Sequence, residues 1–157
     1  MLNGLQNLFA ITDATSARCS TWDRTGGNND WVTIKPGETY TIAEINGPGC
    51  IRHIYATTIH INRLEYRWAV LRMYWDGEET PSVEVPFGDF FGIAHGSPRA
   101  FDSHLITLTT CDLHEIRGRR FGYNCYFPMP FAKGARIEIH QQADTPWGRG
   151  IDALWFH

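Results

Sequence analysis

The segment from Trp22 to Trp31 combines residue types that suit the binding of sugars. Between the two tryptophans lie two aspartates, an arginine, two asparagines and two glycines. Carboxylate, amide and guanidinium groups hydrogen-bond vicinal hydroxyls, and tryptophan rings beside them stack against a sugar face. The segment therefore predicts a carbohydrate-binding loop, with these candidate contact residues: Trp22, Asp23, Arg24, Asn28, Asn29, Asp30 and Trp31.

Two other interpretations of the same loop are open: a loop that its own hydrogen bonds close, and a Ca²⁺ site. Asp and Asn side chains often hydrogen-bond the backbone of their own loop, and both tryptophans would then belong to the core. Asp23, Asn28 and Asp30 are also hard oxygen donors of the kind that Ca²⁺ prefers, but their order does not match the EF-hand loop. We therefore expect no metal site here and no cofactor.

A second group of candidate residues is acidic and follows a predicted strand. Two carboxylates about 5 Å apart provide the nucleophile and the acid/base of a retaining glycosidase. Asp76 lies at a strand end and Asp89 comes thirteen positions later, so the two could meet at one edge of a sandwich. With Glu78 they are the candidate catalytic residues. Asp-Gly is also a common turn, in which Glu78 would be a solvated turn residue.

A third cluster, from Asn124 to Phe131, is aromatic and rich in proline. Pro128 and Pro130 cannot lie in a central strand, so the segment is predicted at an edge or corner of a sheet. Core packing, a pocket wall and a subunit contact all fit this composition. We favour the subunit contact, because a surface of Tyr, Phe, Met and Pro is costly to leave in water.

Composition and charge exclude several classes of protein. Fourteen basic and seventeen acidic residues give a net charge of −3, which argues against nucleic-acid and anionic-membrane partners. The apolar runs are far short of the roughly 20 residues that a membrane helix needs. The four cysteines form no Cys-x-x-Cys pair, so we expect free, mostly buried thiols. The first residues lack the pattern of a secretory signal, which predicts a cytoplasmic protein.

Strand patterns dominate the chain after residue 30. Short stretches rich in β-branched and aromatic residues alternate with a period of two, and Gly, Pro and Asn turns separate them. The longest, 51–61, places Ile51, Tyr55, Thr57, Ile59 and Ile61 on one side. The last, 153–156, is expected to close the sheet. No long stretch has a helical period, although the spacing of the leucines in 2–8 suits one or two helical turns.

These elements predict the fold class. The 17.9 kDa chain has the size of one domain. About eight or nine short strands separated by turns are typical of an all-β protein, and the number suits a single jelly-roll β-sandwich of about eight antiparallel strands. We predict one domain over 1–157, in which 1–30 form an N-terminal arm and loop and 31–157 form the sandwich.

Four motifs in register resemble one known family: TWDRTGGNNDW, KPGETYTIAEINGPGCIRHIY, RMYWDGEETPSVEVPFGDFFG and NCYFPMPFAKGARIEI. The chain, from about Gly4 to His140, is similar to the group known as domain of unknown function 2961, or glycoside hydrolase family 172. The resemblance implies two consecutive jelly rolls that assemble as trimers or hexamers, like double jelly-roll capsid proteins. It also implies action on fructofuranosides and D-arabinofuranosides, with retention, through two glutamates.

The resemblance covers the first jelly roll of that family. The family's catalytic glutamates lie in the second roll, in motifs like WGEGD and GTGTEDYFG, and neither motif occurs in these 157 residues. Alignment on the Asp-Gly-Glu shared by both rolls places Trp68 at the nucleophile position and Asp89 near the acid/base position. A tryptophan cannot act as the nucleophile. The resemblance therefore transfers no complete catalytic pair.

Two hypotheses about function follow. The first is an enzyme, or half of one, that acts on furanosides and contacts the sugar at subunit interfaces. The second is a non-catalytic, self-assembling protein of the capsid-like or carbohydrate-binding kind. The partners expected are further copies of the chain in a trimer or hexamer, a carbohydrate ligand and a second jelly-roll chain. The chain is expected to end where the first roll ends. It would then be a fragment, the product of a split gene whose partner carries the second roll, or a family member with a single roll.

Overall fold

The computed structural model describes residues 13–59, 65–97, 99–111, 120–142 and 150–157. Within these ranges the chain forms twelve strands, two four-residue helices and a 3₁₀ turn. The helical turns predicted over 2–8 and the end of the predicted strand 51–61 lie outside the described residues. No helix in the described part of the chain is long and apolar enough to cross a membrane.

The elements have the following bounds. The strands are β1 (Val32–Ile34), β2 (Thr39–Asn46), β3 (Gly49–Ile51), β4 (Ile54–Ile59), β5 (Ala69–Trp75), β6 (Val83–Pro86), β7 (Phe101–Asp102), β8 (Ile106–Cys111), β9 (Arg120–Cys125), β10 (Met129–Phe131), β11 (Gly134–Gln141) and β12 (Ile151–Phe156). The helices are α1 (Glu65–Trp68) and α2 (Phe87–Phe90), and the 3₁₀ turn is Ala94–Gly96.

The strands form two main sheets with the connectivity of a jelly roll. One sheet has the order β1-β12-β4-β9-β8-β7 and the other has the order β2-β11-β5-β6. Along the described elements the chain crosses between these two sheets from β1 to β2, from β2 to β4, from β4 to β5, from β6 to β7, from β9 to β11 and from β11 to β12. Eight strands thus make the two Greek keys of a jelly roll, and β7 and β8 extend one edge. The predicted all-β jelly-roll sandwich is confirmed.

Alternating apolar residues of both sheets form the core. On β5, Leu71 and Met73 are buried, while Arg72 points to the outer face, as the period of two predicts. Near one end of the sandwich, Phe87 and Phe91 pack on Tyr123 of β9, with ring centroids 5.1 and 5.3 Å apart. The core therefore joins both sheets and the short helix α2.

The predicted strand 51–61 is divided in two. β3 leaves the main sheet to pair with β10, and β4 begins after Arg52 and His53. As a result, the buried positions of β4 include Ile54 and Ala56, while Tyr55 is only half-buried. Of the residues predicted on one side, Tyr55 and Thr57 thus lie on the outer face of β4, while Ile51 belongs to β3. The strand predicted over 153–156 is present as β12, which lies between β1 and β4.

The proline-rich segment lies outside the two main sheets, in agreement with its predicted place at an edge or corner. Among the described strands, β10 pairs with β3 alone, in a separate two-stranded ribbon with Pro130 opposite Cys50. Gly49 lies opposite Phe131, and a β-carbon there would come within 2.7 Å of the Phe131 ring.

The cysteines Cys19, Cys50 and Cys125 are free, but Cys50 is exposed, which contradicts the expectation for this thiol.

We expect the packing of Phe91 in the core to contribute strongly to the free energy of unfolding. Replacing this fully buried ring in Phe91→Ala leaves a cavity against Phe87 and Tyr123 and lowers the free energy of unfolding by about 3–5 kcal/mol. Urea unfolding followed by tryptophan fluorescence measures the change. Phe127→Ala, at a ring that is 42% exposed, is the matched control and should cost below about 1 kcal/mol. Equal losses would contradict this view of the core.

Candidate functional site

An open cleft of about 350 Å³ lies on the outer face of the six-stranded sheet, between the N-terminal arm and strands β4 and β12. Both aromatic rings and hydrogen-bonding groups line it. The lining residues are Arg18, Ser20, Thr21, Trp22, Asp30, Tyr55, Thr57, Trp155, Phe156 and His157.

The arm is fixed to the end of β12 by two hydrogen bonds. The Thr21 N–H donates to the carbonyl oxygen of Phe156 at 3.2 Å, and the Phe156 N–H donates to Thr21 Oγ1 at 3.2 Å. Trp22 follows directly and stands at the rim of the cleft with 55% of its surface exposed. The arm therefore forms one wall of the cleft.

Trp155 of β12 is held from two sides. Its Nε1–H donates to Asp30 Oδ1 at 3.1 Å, and its ring is tilted against Trp31 with centroids 6.0 Å apart. In the sheet it lies opposite Thr57 of β4. Asp30 and Trp31, both predicted sugar contacts, thus meet at Trp155, and Asp30 also lines the cleft.

The loop between Trp22 and Asp30 is closed by its own hydrogen bonds. Asp23 accepts from the N–H groups of Thr25 and Asn29 at 2.8 and 3.0 Å, and from Thr25 Oγ1 at 2.7 Å. The bond from the Asn29 N–H, followed by those from Thr25, lowers the pKa of Asp23 below its usual value. Asn28 has φ +59°, a conformation that Asn tolerates better than most residues. Asp23 therefore shapes the loop.

The predicted contact residues divide between cleft and loop. Trp22 and Asp30 line the cleft, and Trp31 contacts the Trp155 ring without lining the cleft itself. Asp23, Arg24, Asn28 and Asn29 are not among the lining residues. The Arg24 guanidinium instead lies over the Trp22 ring, with Cζ 5.8 Å from the centroid.

Several lining residues carried no local signal in the sequence. Tyr55 stacks on His157 with centroids 4.7 Å apart, and the two residues exchange backbone hydrogen bonds of 2.7 and 3.0 Å. Burial, together with the neighbouring His53 and Arg18, lowers the pKa of His157. The Ser20 hydroxyl is buried and has no hydrogen-bond partner among the described residues. Among the lining residues in this group, the sequence indicated only Tyr55 and Thr57, through the period of two in the predicted strand 51–61.

Asp76 is held by the backbone of a neighbouring turn. Its Oδ1 accepts from the N–H groups of Ala132, Lys133 and Gly134 at 2.9, 2.6 and 3.2 Å. The bond from Lys133 is the main reason why the pKa of Asp76 lies below its usual value. Its φ of +55° lies in the left-handed region at the end of β5. The carboxylate thus ties the β5–β6 turn to the start of β11.

The other two candidate carboxylates also have partners. Glu78 accepts from Ser82 Oγ, and Asp89 pairs with Arg67 at 3.1 Å. The second oxygen of Asp89 is buried without a hydrogen-bond partner among the described residues.

Asp76 and Asp89 lie at opposite ends of the β5–β6 hairpin. Val70 pairs with Pro86 near one end, and Met73 pairs with Val83 toward the other. The length of β5 separates the two carboxylates by roughly 20 Å at 3.3 Å per residue. The structure therefore does not bring them to one edge of the sandwich, and they do not form a pair at the spacing of a retaining glycosidase.

A second cleft lies on the outer face of the four-stranded sheet, beside Asp76 and Glu78. Arg136 and Tyr74 both line it. The Arg136 Cζ lies 4.0 Å from the Tyr74 ring centroid, and its Nη1 lies 2.7 Å from Glu138 Oε1. Burial, followed by the charge of Glu138, raises the pKa of Tyr74. In the described part of the chain, no three His, Cys, Asp or Glu residues are grouped to hold a metal ion.

The chain is an all-β jelly-roll domain, a fold that viral capsid, lectin and cupin domains also use. Aromatic rings and hydrogen-bonding groups line a cleft on one of its sheets. The family model described as GH172 domain-like matches residues 27–150, and the chain belongs to this family. This relates it to the glycoside hydrolases and confirms the family that the sequence motifs predict. The comparison with curated proteins finds no match.

We expect Asp76 to act as a structural group. Asp76→Ala removes the acceptor of three backbone N–H groups and should lower the thermal midpoint by several degrees. Since folding lowers the pKa of Asp76, its contribution is present above the unfolded value of about 3.8 and is lost as pH falls toward the folded value. Thermal scans at several pH values measure both effects.

The exposed Glu79 beside it provides a control for Asp76. Glu79→Ala should leave the thermal midpoint within a degree or two of the wild-type value. Asp76→Asn keeps an oxygen acceptor but no charge, so it should fall between Asp76→Ala and the wild type. A wild-type midpoint for Asp76→Ala would contradict the structural role.

Proposed function

We propose that this chain binds a furanoside in the cleft over β4 and β12, as the sugar-binding jelly roll of a furanoside-active glycoside hydrolase. The observation that carries the proposal is the lining itself. The rings of Trp22, Tyr55 and Trp155 stand beside the hydroxyls of Ser20 and Thr57. A sugar has apolar faces and hydroxyl edges, and this combination matches both.

Two features favour a ligand in this cleft over an inert surface. An exposed tryptophan such as Trp22 loses apolar contact with water when a sugar face stacks on it. The buried Ser20 hydroxyl lacks a partner among the described residues, and a bound hydroxyl would supply one. The cleft volume of about 350 Å³ is within the range of small-molecule sites.

The proposed role is binding rather than complete catalysis. Asp30 is the one carboxylate among the described lining residues, and it already accepts from Trp155. Retaining hydrolysis needs two carboxylates about 5 Å apart. The furanoside class itself follows from the family resemblance, and hydrolysis would need carboxylates contributed by another copy or by a second jelly-roll chain.

Assembly belongs to the same proposal. We infer a trimer or hexamer in which neighbouring copies border the sugar. Several large rings are at least a third exposed, and such surfaces are typical of protein contacts. The exposed rings next to the cleft, where such a contact would border the sugar, are Trp22 and Trp31.

A second candidate function is a non-catalytic, capsid-like assembly protein. The observation that favours it is the state of the three candidate carboxylates. Asp76, Glu78 and Asp89 each have a partner within the chain, and none of them lines the sugar cleft. This candidate predicts oligomers without turnover and at most weak affinity for sugars.

Calorimetric titration with methyl arabinofuranoside and methyl fructofuranoside tests the proposal. We expect the wild type to bind at least one of them. Trp22→Ala removes the rim ring and should weaken binding about tenfold, or ~1.4 kcal/mol. Phe101→Ala, at another exposed ring outside the cleft, is the matched control and should keep the wild-type affinity.

Mass photometry and hydrolysis of nitrophenyl D-arabinofuranoside in the same sample separate the two candidates. Binding with or without turnover supports the sugar-binding role, and turnover by an oligomer adds a complete active site between copies. An oligomer that binds no furanoside favours the assembly protein. Binding that Trp22→Ala leaves unchanged would contradict the location of the site.

A further inference from the structure

We propose that the cleft continues into a second sugar subsite across the end of the sheet, so that the ligand is a furanoside chain of several units. The subsite is the ring ladder, which we define as Tyr55, His157, His53 and Tyr126. This inference rests on the proposed function, because Tyr55 and His157 also line the cleft.

The four rings of the ladder are in consecutive contact. Tyr55 and His157 stack with centroids 4.7 Å apart, and His157 meets His53 edge to face at 5.7 Å. His53 and Tyr126 are parallel within 3°, with centroids 4.6 Å apart. A chain of contacting rings thus leads from the cleft to Tyr126.

Strand register places these rings side by side. β12, β4 and β9 are neighbours, and Phe156 lies opposite Ala56 while Ile54 lies opposite Cys125. His157 therefore follows β12 beside Tyr55, and Tyr126 follows β9 beside His53. The ladder crosses three antiparallel strands at one end of the sheet, so its order depends on the fold and not on a local loop.

The far end of the ladder has the features of a rigid sugar platform. Tyr126 is 43% exposed, while the stacked His53 ring covers one of its faces. His53 Nε2 donates to Asn124 Oδ1 at 3.0 Å, which holds the imidazole in place and leaves the amide N–H₂ of Asn124 as a donor. A ring that is already held loses little conformational freedom when a sugar stacks on it.

Continuity with the cleft favours a sugar chain over a second copy of the protein as the occupant. Aromatic rings flanked by hydrogen-bonding groups such as Asn124 suit successive sugar units, each of which presents an apolar face and hydroxyls. A contact between copies at Tyr126 is a different outcome of the test.

Calorimetric titration with arabinofuranosyl oligosaccharides of one to four units tests the inference. We expect the affinity of the wild type to rise about tenfold with chain length. Tyr126→Ala should abolish that rise and keep the affinity for one unit, while Trp22→Ala should weaken binding at every length. Phe127→Ala, the neighbouring ring with 42% exposure, is the matched control, and Tyr126→Phe should keep the rise.

The outcomes separate this inference from the proposed function. If one unit binds and longer chains bind no better, or if Tyr126→Ala keeps the rise, the second subsite is wrong and the cleft remains. If no oligosaccharide of any length binds, both proposals fail. If Tyr126→Ala keeps the rise but lowers the mass seen by photometry, the ladder is a contact between copies. A circular dichroism spectrum of each variant confirms that it is folded.

Discussion

The pairing of β12 between β1 and β4 is the constraint on which the candidate site depends. Leu154 and Phe156 point inward and are buried, so Trp155 between them must point to the outer face. A slip of one residue in this register would exchange the two faces and expose the core residues. The packing that stabilises the sandwich thus also fixes the ring in the cleft and sets His157 beside Tyr55.

Some of this architecture could be predicted from the sequence because it depends on local alternation. In β5 and β11 the period of two separates the buried Leu71 and Ile137 from the outward Arg72 and Arg136. The division of β3 from β4 could not be predicted in this way. It depends on pairing between Gly49–Ile51 and Met129–Phe131, nearly eighty residues later, and such pairing leaves no periodic signal.

The candidate site shows why residue type alone is a weak guide to ligands. Asp23 and Asp76 have the chemistry of binding or catalytic groups, but both accept several hydrogen bonds from nearby turns. The same acceptor strength that suits a sugar hydroxyl suits a backbone N–H, and composition cannot distinguish the two uses. Trp155 and His157, in contrast, reach the cleft because β12 lies beside β4, which is a property of the topology.

The outer faces of the two sheets differ in a way that favours one of them for the proposed sugar site. On the four-stranded sheet, Arg72 pairs with Glu84 and Arg136 pairs with Glu138, so these charges are satisfied within the chain. On the six-stranded sheet, the cleft joins exposed or half-buried rings to the buried Ser20 hydroxyl, which has no partner among the described residues. A neutral, hydroxyl-rich ligand gains little from the ion pairs already formed on the four-stranded sheet. On the outer face of the six-stranded sheet it gains both stacking and hydrogen bonds. The chemistry of a sugar therefore matches the side of the jelly roll that β12 and the arm build together.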